Sequence, residues 1–113
     1  MKPYFTEHFK RQLKKLQKKF PRIREDLLIK INHVDLSHEV HIGESVYKIR
    51  IKSRDMQKGS SGGFRSYLLL YRLKDLLVPL TIYAKNQKET ISEEDLQNHV
   101  CETIGELLEL FQH

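Results

Sequence analysis

The segment from residue 45 to 85 constrains the fold most, because it holds three apolar stretches separated by one glycine-rich loop and one short turn. "SVYKIRIK" at 45–52, "FRSYLLLYR" at 64–72 and "LLVPLTIYAK" at 76–85 have the composition of β-strands. The loop "RDMQKGSSGG" joins the first two strands, and "LKD" joins the last two. We therefore predict an antiparallel meander, with Pro79 at an edge or a bulge because proline cannot donate to a strand ladder.

Helical patterns flank these strands. Residues 5–20 and then 21–34 predict two amphipathic helices in a hairpin, with Thr6 as the first N-cap and Pro21 in the first turn of the second helix. The two apolar stripes are Phe9, Leu13, Leu16 and Phe20, then Ile23, Leu27, Leu28, Ile31 and Val34. "KPYF" near the start predicts a short first strand.

Ser92 and the three acids that follow it predict the start of a last helix over 93–111. Its apolar stripe is Leu96, Val100, Ile104, Leu107 and Phe111. Together these elements predict one α+β domain over residues 1–113, in which the helices pack on one face of the sheet and leave the other face available for function.

Composition excludes several classes of protein. A chain of 113 residues with 39% apolar residues has the size of one domain with a modest core. No apolar stretch is long enough to span a membrane, and the N-terminus lacks the pattern of a secretory signal. A single cysteine, Cys101, excludes an intramolecular disulfide, so we expect a cytoplasmic protein.

Charge is strongly segregated along the chain. The net charge is +7 over residues 1–34, −3 over 35–46, +8 over 47–88 and −7 over 89–113, which gives the overall +5. This pattern is typical of a body that binds a polyanion and ends in an acidic segment. A lysine-rich helix face that is only solvated is the alternative for the first basic block.

Three features that resemble active-site motifs have simpler explanations. His33, His38 and His41 have metal-like spacing but no cysteine partner, so solvated histidines are favoured over a metal site. Cys101 lies beside the apolar stripe of the last helix and is expected to be a small core residue. "KGSSGG" lacks the spacing of a nucleotide-binding P-loop and leads into a strand.

Strand alternation brings cations and tyrosines together. In "FRSYLLLYR" Arg65 and Tyr67 point to the same face, and in the next strand Tyr83 and Lys85 share a face, with Lys88 just beyond. The first strand of the meander adds cations through Lys48, Arg50, Lys52 and Arg54. Arginine, lysine and tyrosine are suited to phosphate contact and base stacking in single-stranded RNA. The alternative is that Tyr67, Leu69 and Tyr71 are core residues and that Arg65 is a rim residue in an ion pair.

"KGSSGGFRSYLLLYR" followed by "VPLTIYAKNQKETISEEDL" resembles the RelE/HigB branch of the RelE/ParE superfamily, bacterial toxins of type II toxin–antitoxin systems. The resemblance implies a RelE-like fold and a metal-independent endoribonuclease without cofactors, which enters the ribosomal A site and cuts mRNA by attack of a 2′-OH. It implies a catalytic set of Lys58, Arg65, Lys85 and Lys88. In this set, Arg65 stabilises the transition-state phosphate, Lys58 assists it or acts as base, and Lys85 and Lys88 contact the phosphate and leaving group.

The resemblance also implies that Tyr83 stacks on a base of the codon, whereas the RNA contact expected of Tyr67 rests on strand alternation. The resemblance further implies a partner antitoxin that is HigA-like and of the helix-turn-helix class. One departure concerns the general acid, because the segment after the last strand, "KNQKETISEEDL", carries lysines and no tyrosine. A gyrase inhibitor of the ParE type, or an inactive binding module on the same fold, is the alternative function.

Overall fold

A computed structural model describes residues 1–43, 45–56, 62–88 and 90–112 of the chain. The elements follow the predicted α+β order, with one additional strand and two short 3₁₀ turns at Leu36–His38 and Arg72–Lys74. The strands and helices are β1 (Lys2–Pro3), α1 (Glu7–Gln17), α2 (Ile23–Asn32), β2 (Val40–Gly43), β3 (Val46–Ile51), β4 (Phe64–Tyr71), β5 (Leu76–Ala84) and α3 (Glu93–Phe111).

The strands form one sheet in the order β1-β5-β4-β3-β2. The predicted antiparallel meander is confirmed for β3, β4 and β5, and β2 adds a fourth antiparallel strand at the edge. β1 instead pairs in parallel with β5, so the sheet is mixed. All four residues of β2 are exposed, which explains why the segment shows no alternation of buried and exposed residues in the sequence.

Pro79 lies at a bulge, as predicted. Tyr67 on β4 faces Thr81 and Leu68 faces Pro79, which leaves Leu80 as the extra residue. The outer side of β5 at this point is also unpaired by any described strand, because β1 pairs only with Leu76 and Leu77. The bulge therefore places proline where a missing N–H removes no ladder bond.

The N-caps of the first and last helices are confirmed. Phe9 N donates to Thr6 Oγ1 at 3.1 Å, and Asp95 N donates to Ser92 Oγ at 3.1 Å. Pro21 was predicted inside the first turn of α2, but the helix begins at Ile23. The chain makes a separate turn first, closed by a 3.0 Å hydrogen bond from Ile23 N to the Phe20 carbonyl.

Helices cover both faces of the sheet, so the prediction that all helices share one face was wrong. The first core cluster joins α1 and α2 to residues such as Ile49, Phe64 and Leu68. The second joins α3, through Leu96 and Leu107, to Leu69, Val78, Tyr67 and other residues of the opposite parity. The sequence could not show this, because both parities of β4 are apolar and a buried strand does not identify its covering helix.

Cys101 was predicted to be a core residue, and it is exposed. Thr103 is the small polar side chain of α3 that is buried instead. The buried stripe of the helix passes through Leu96, Thr103 and Leu107, which places Cys101 more than 90° around the helix from its centre.

α1 and α3 are joined by polar contacts at the N-terminal end of α1. Glu106 on α3 accepts hydrogen bonds from Glu7 N (2.8 Å) and His8 N (2.9 Å). Beside this carboxylate, His8 Nε2 and His99 Nδ1 lie 2.8 Å apart and share a hydrogen bond. A residue of α3 thus satisfies N–H groups at the start of α1 that have no partner within that helix.

The His8–His99 contact predicts loss of stability in acid. Burial, reinforced by the charges of His8 and Lys88 and opposed by Asp95, lowers the pKa of His99 below its ordinary 6.5. The unfolded chain therefore binds this proton first, so the stabilisation is complete above about pH 6.5 and is lost as the pH falls through the folded pKa. In urea unfolding at about pH 7.5 and 5.5, we expect His99→Gln to lose less stability on acidification than the wild type.

His38→Gln is the matched control for this measurement, because His38 is exposed and lies outside the helix contact. It should behave as the wild type does. Equal losses of stability on acidification in His99→Gln and the wild type would contradict the assignment to His99.

No helix in the described part of the chain is long and apolar enough to cross a membrane.

Candidate nucleic-acid interface

The sheet register places two arginines side by side. Arg50 on β3 is directly opposite Arg65 on β4, and Arg65 is directly opposite Tyr83 on β5. The predicted grouping of these three side chains on one face is therefore what the strand pairing produces. Like charges directly opposite each other on neighbouring strands destabilise a sheet. A bound anion between Arg50 and Arg65 would remove this repulsion.

Arg65 is buried, with only 4% of its surface exposed. Its Nη1 donates to the carbonyl oxygen of Phe64 at 3.1 Å. Within the described residues no carboxylate lies within ion-pair distance of it, so the rim ion pair considered from the sequence is not found there. A buried cation without a counter-charge is costly, and such costs are characteristic of sites that bind a charged ligand.

Arg65 lines a groove of about 590 Å³ at the outer edge of β3. β2 pairs with β3 only up to Lys48, so no described strand covers this edge from Arg50 onward. α2, from Asp26 to the C-cap His33, forms another wall of the groove. The groove is lined by Asp26, Ile29, Lys30, His33, Arg50, Ile51, Lys52, Arg54, Gly62 and Arg65. Its size is that of a small-molecule site and its lining is strongly cationic.

Some of these cations are engaged by acids. Arg54 Nε bonds Asp26 at 2.6 Å and Arg54 Nη2 bonds Glu25 at 2.8 Å, and these carboxylates raise the pKa of the guanidinium. Lys30 Nζ lies 3.2 Å from Glu39. The predicted RNA contact of Arg54 therefore competes with a structural role, in which Arg54 ties the end of β3 to α2.

Arg50 and Lys52 differ from Arg54, because both are exposed and neither has a carboxylate partner among the described residues. Together with buried Arg65 they give the groove three positive charges that no described acid neutralises. This combination suits a phosphodiester, which presents several anionic oxygens to several cations.

Tyr67 and Tyr83 are core residues in this conformation, with 3% and 4% of their surfaces exposed. They lie in the cluster under α3, and their ring centroids are 6.4 Å apart. Leu69 is buried and Tyr71 half-buried, which agrees with the core alternative for this face. Neither Tyr67 nor Tyr83 offers an open ring to a base, so stacking by them stays a prediction that requires the rings to be uncovered.

The Tyr67 phenol has an unusual environment. Burial raises its pKa, but hydrogen bonds with Thr90 and Tyr83 and the charge of Lys48 outweigh burial, so the pKa lies below its ordinary value. Tyr67 Oη and Thr90 Oγ1 are 3.0 Å apart. These hydrogen bonds hold the Tyr67 side chain in place on the face of the sheet that also carries Arg65.

Two of the lysines predicted to contact RNA, Lys48 and Lys88, lie over the rings of Tyr67 and Tyr83. Lys48 Nζ lies 5.8 Å from the ring centroid of Tyr67, and Lys88 Nζ lies 5.2 Å from that of Tyr83. Lys85 N donates to the Gly63 carbonyl at 3.0 Å, which holds the end of β5 against the turn before Arg65. Lys58 lies outside the described residues.

The three histidines of the 33–41 segment have separate environments. His38 Nδ1 is 3.1 Å from Asp35, whereas the ring of His41 stacks on Tyr47. His33 alone of the three lines the groove. Within the described ranges, no three side chains of metal-binding type come together.

Comparison with known protein families gives a match over nearly the whole chain. Residues 1–110 match the family described as the RelE toxin of the RelE/RelB toxin–antitoxin system. The chain belongs to this RelE toxin family, which implies an antitoxin partner. Comparisons with curated proteins and with solved structures each gave no significant match.

Proposed function

We propose that this protein is a ribosome-dependent mRNA endonuclease, which cuts mRNA in the A site by attack of a 2′-OH on the adjacent phosphate. Buried Arg65 is the observation that supports this function best: it lines a cationic groove and has no acid partner among the described residues. Membership of the RelE toxin family supports the same class of activity. The protein acts in the cytoplasm as a single RelE/HigB-like domain.

In this mechanism Arg65 and Arg50 hold the scissile phosphate. Negative charge accumulates on its oxygens as the 2′-oxygen attacks, and cations fixed beforehand in a sheet stabilise that charge without rearranging. The products are a 2′,3′-cyclic phosphate and a 5′-OH. Lys58 assists the phosphate, and Lys85 and Lys88 stabilise the leaving oxygen.

Long-range attraction to RNA comes from the basic surface around the groove. The exposed cations Arg50 and Lys52, together with Lys48 on the same strand and Lys88 beyond β5, provide contacts that neutralise phosphates without reading sequence. The acids in the first turn of α3 are exposed, and no residue of α3, which the structure describes throughout, lines the groove, so the groove edge stays positive. RNA is thereby directed to the edge of β3.

The antitoxin implied by the family would inactivate the protein by covering or distorting this basic edge. We propose a HigA-like partner of the helix-turn-helix class. An adjacent reading frame encoding such a protein, together with growth arrest on expression of the toxin alone, would support this pairing.

Primer extension in a translating bacterial extract tests the activity directly. The purified protein is added to a defined mRNA with and without ribosomes, and the 5′ ends are mapped. We expect cuts within the A-site codon only when ribosomes are present. Folded protein that gives no cuts under either condition would overturn the endonuclease, and inhibition of DNA gyrase would then point to the ParE type of activity.

A further inference from the structure

His33 forms part of the same groove as Arg65, on the wall that α2 provides. Successive turns of α2 present Asp26, then Ile29 and Lys30, and then His33 to this cavity. His33 is the C-cap residue of α2 and is exposed, so a ligand in the groove has access to its ring. A histidine beside a site that binds phosphate can accept a proton from the hydroxyl that attacks the phosphate.

The tautomer of His33 follows from its hydrogen bond. Its Nδ1 lies 2.8 Å from the carbonyl oxygen of Ile29, which has no proton to give. Nδ1 must therefore carry the hydrogen and donate it. In the neutral ring Nε2 then has an available lone pair, and the bond to the helix backbone fixes the orientation of the ring.

The other charged groups of the groove are unsuited to accept a proton at neutral pH. Asp26 is buried and accepts two hydrogen bonds from Arg54, from the backbone N at 3.1 Å and from Nε at 2.6 Å. Lys30 is paired with Glu39. The charged groups that face His33 in the groove or pair with its lining are Asp26, Lys30, Glu39, Arg50, Lys52, Arg54 and Arg65, of which the lysines and arginines offer hydrogen-bond donors only and the two acids are already paired.

We propose that His33 is the general base of the cleavage reaction, an assignment that rests on the proposed endonuclease function. Nε2 takes the proton of the attacking 2′-OH while the bond from O2′ to phosphorus forms. The bond from phosphorus to the 5′-oxygen breaks, and that oxygen takes a proton from water. Arg65, Arg50 and Lys52 hold the phosphate, and Lys58 is left with the assisting role.

The test compares His33→Gln with His38→Gln under single-turnover conditions, with saturating toxin on mRNA-programmed ribosomes, from about pH 6 to 8.5. Glutamine keeps an N–H for the Ile29 carbonyl but cannot accept a proton. The wild-type rate should rise with pH through the range where histidine titrates and then level off. His33→Gln should be about 100-fold slower or more and should lose that rise, whereas His38→Gln should match the wild type.

Urea unfolding and ribosome sedimentation establish that the variants fold and bind, and His33→Asn replaces His33→Gln if the glutamine variant does not fold. A slow variant that keeps the wild-type pH profile would overturn the assignment, as would a variant with the wild-type rate. Both of these outcomes concern the variant alone, so cleavage by the wild type would continue to support the proposed function. Absence of cleavage by the wild type itself would overturn the function and the base together.

Discussion

Arg65→Ala should lose about 100- to 1,000-fold in the rate of A-site cleavage, as expected when a preorganised charge donor is removed from a transition state. The side chain is buried and bonds only the Phe64 carbonyl among described residues. Its removal should therefore cost little folding stability, because the cation that is lost had no counter-charge there to leave unpaired. The measurement is single-turnover cleavage on programmed ribosomes, with urea unfolding of the same preparation.

Arg72→Ala is the matched control, since it removes an exposed arginine from the turn between β4 and β5 and leaves the groove intact. It should cleave at the wild-type rate. Arg65→Lys separates charge from geometry: a lysine keeps the cation but lacks the planar fork that binds two phosphate oxygens, so its rate should fall between those of the wild type and Arg65→Ala. Wild-type cleavage by a folded Arg65→Ala protein would refute the site.

Gly63→Ala should destabilise the protein and disturb the same site. Gly63 has φ +85°, and a Cβ there would collide with the carbonyl oxygen of Ile51 on β3. A non-glycine residue in such a conformation costs about 1–3 kcal/mol from the backbone alone, and the collision with a backbone atom adds to this cost. The Gly63 carbonyl also accepts a hydrogen bond from Lys85 N. A displacement of Gly63 would therefore disturb the ends of both β3 and β5, the two strands on either side of Arg65.

Gly105→Ala provides the opposite expectation in the same chain. Gly105 lies in α3 with nothing within 4 Å of an added Cβ, so alanine should stabilise the protein by about 1 kcal/mol through helix propensity. Urea unfolding of the two variants gives the comparison. If Gly63→Ala were as stable as the wild type, the close approach of the turn to β3 would be wrong.

Sequence patterns predicted the elements whose signal is local. Ser92 and Thr6 marked helix starts because an N-cap is a contact over three residues, and the alternation in β3 fixed its two faces. β2 was missed because none of its residues is buried, and the parallel pairing of β1 depends on residues more than 70 positions away.

Only those features of the site that depend on local sequence could be predicted. Strand parity showed which residues share a face within each strand, and the register observed in the structure brings Arg50, Arg65 and Tyr83 to the same face. The burial of Tyr83 follows from where α3 docks, and the position of His33 follows from packing of α2 along the edge of β3. Neither depends on nearby residues in the sequence, so no motif or spacing could reveal them.

The contact between Glu106 and the start of α1 has a consequence for how the protein is made. Glu106 follows Glu7 by 99 residues, so the ribosome synthesises this carboxylate long after α1 has emerged. Until then the first helix lacks the acceptor for two of its backbone N–H groups, and the sheet face under α3 has no cover. The fold therefore closes only after α3 has been synthesised and has left the ribosome.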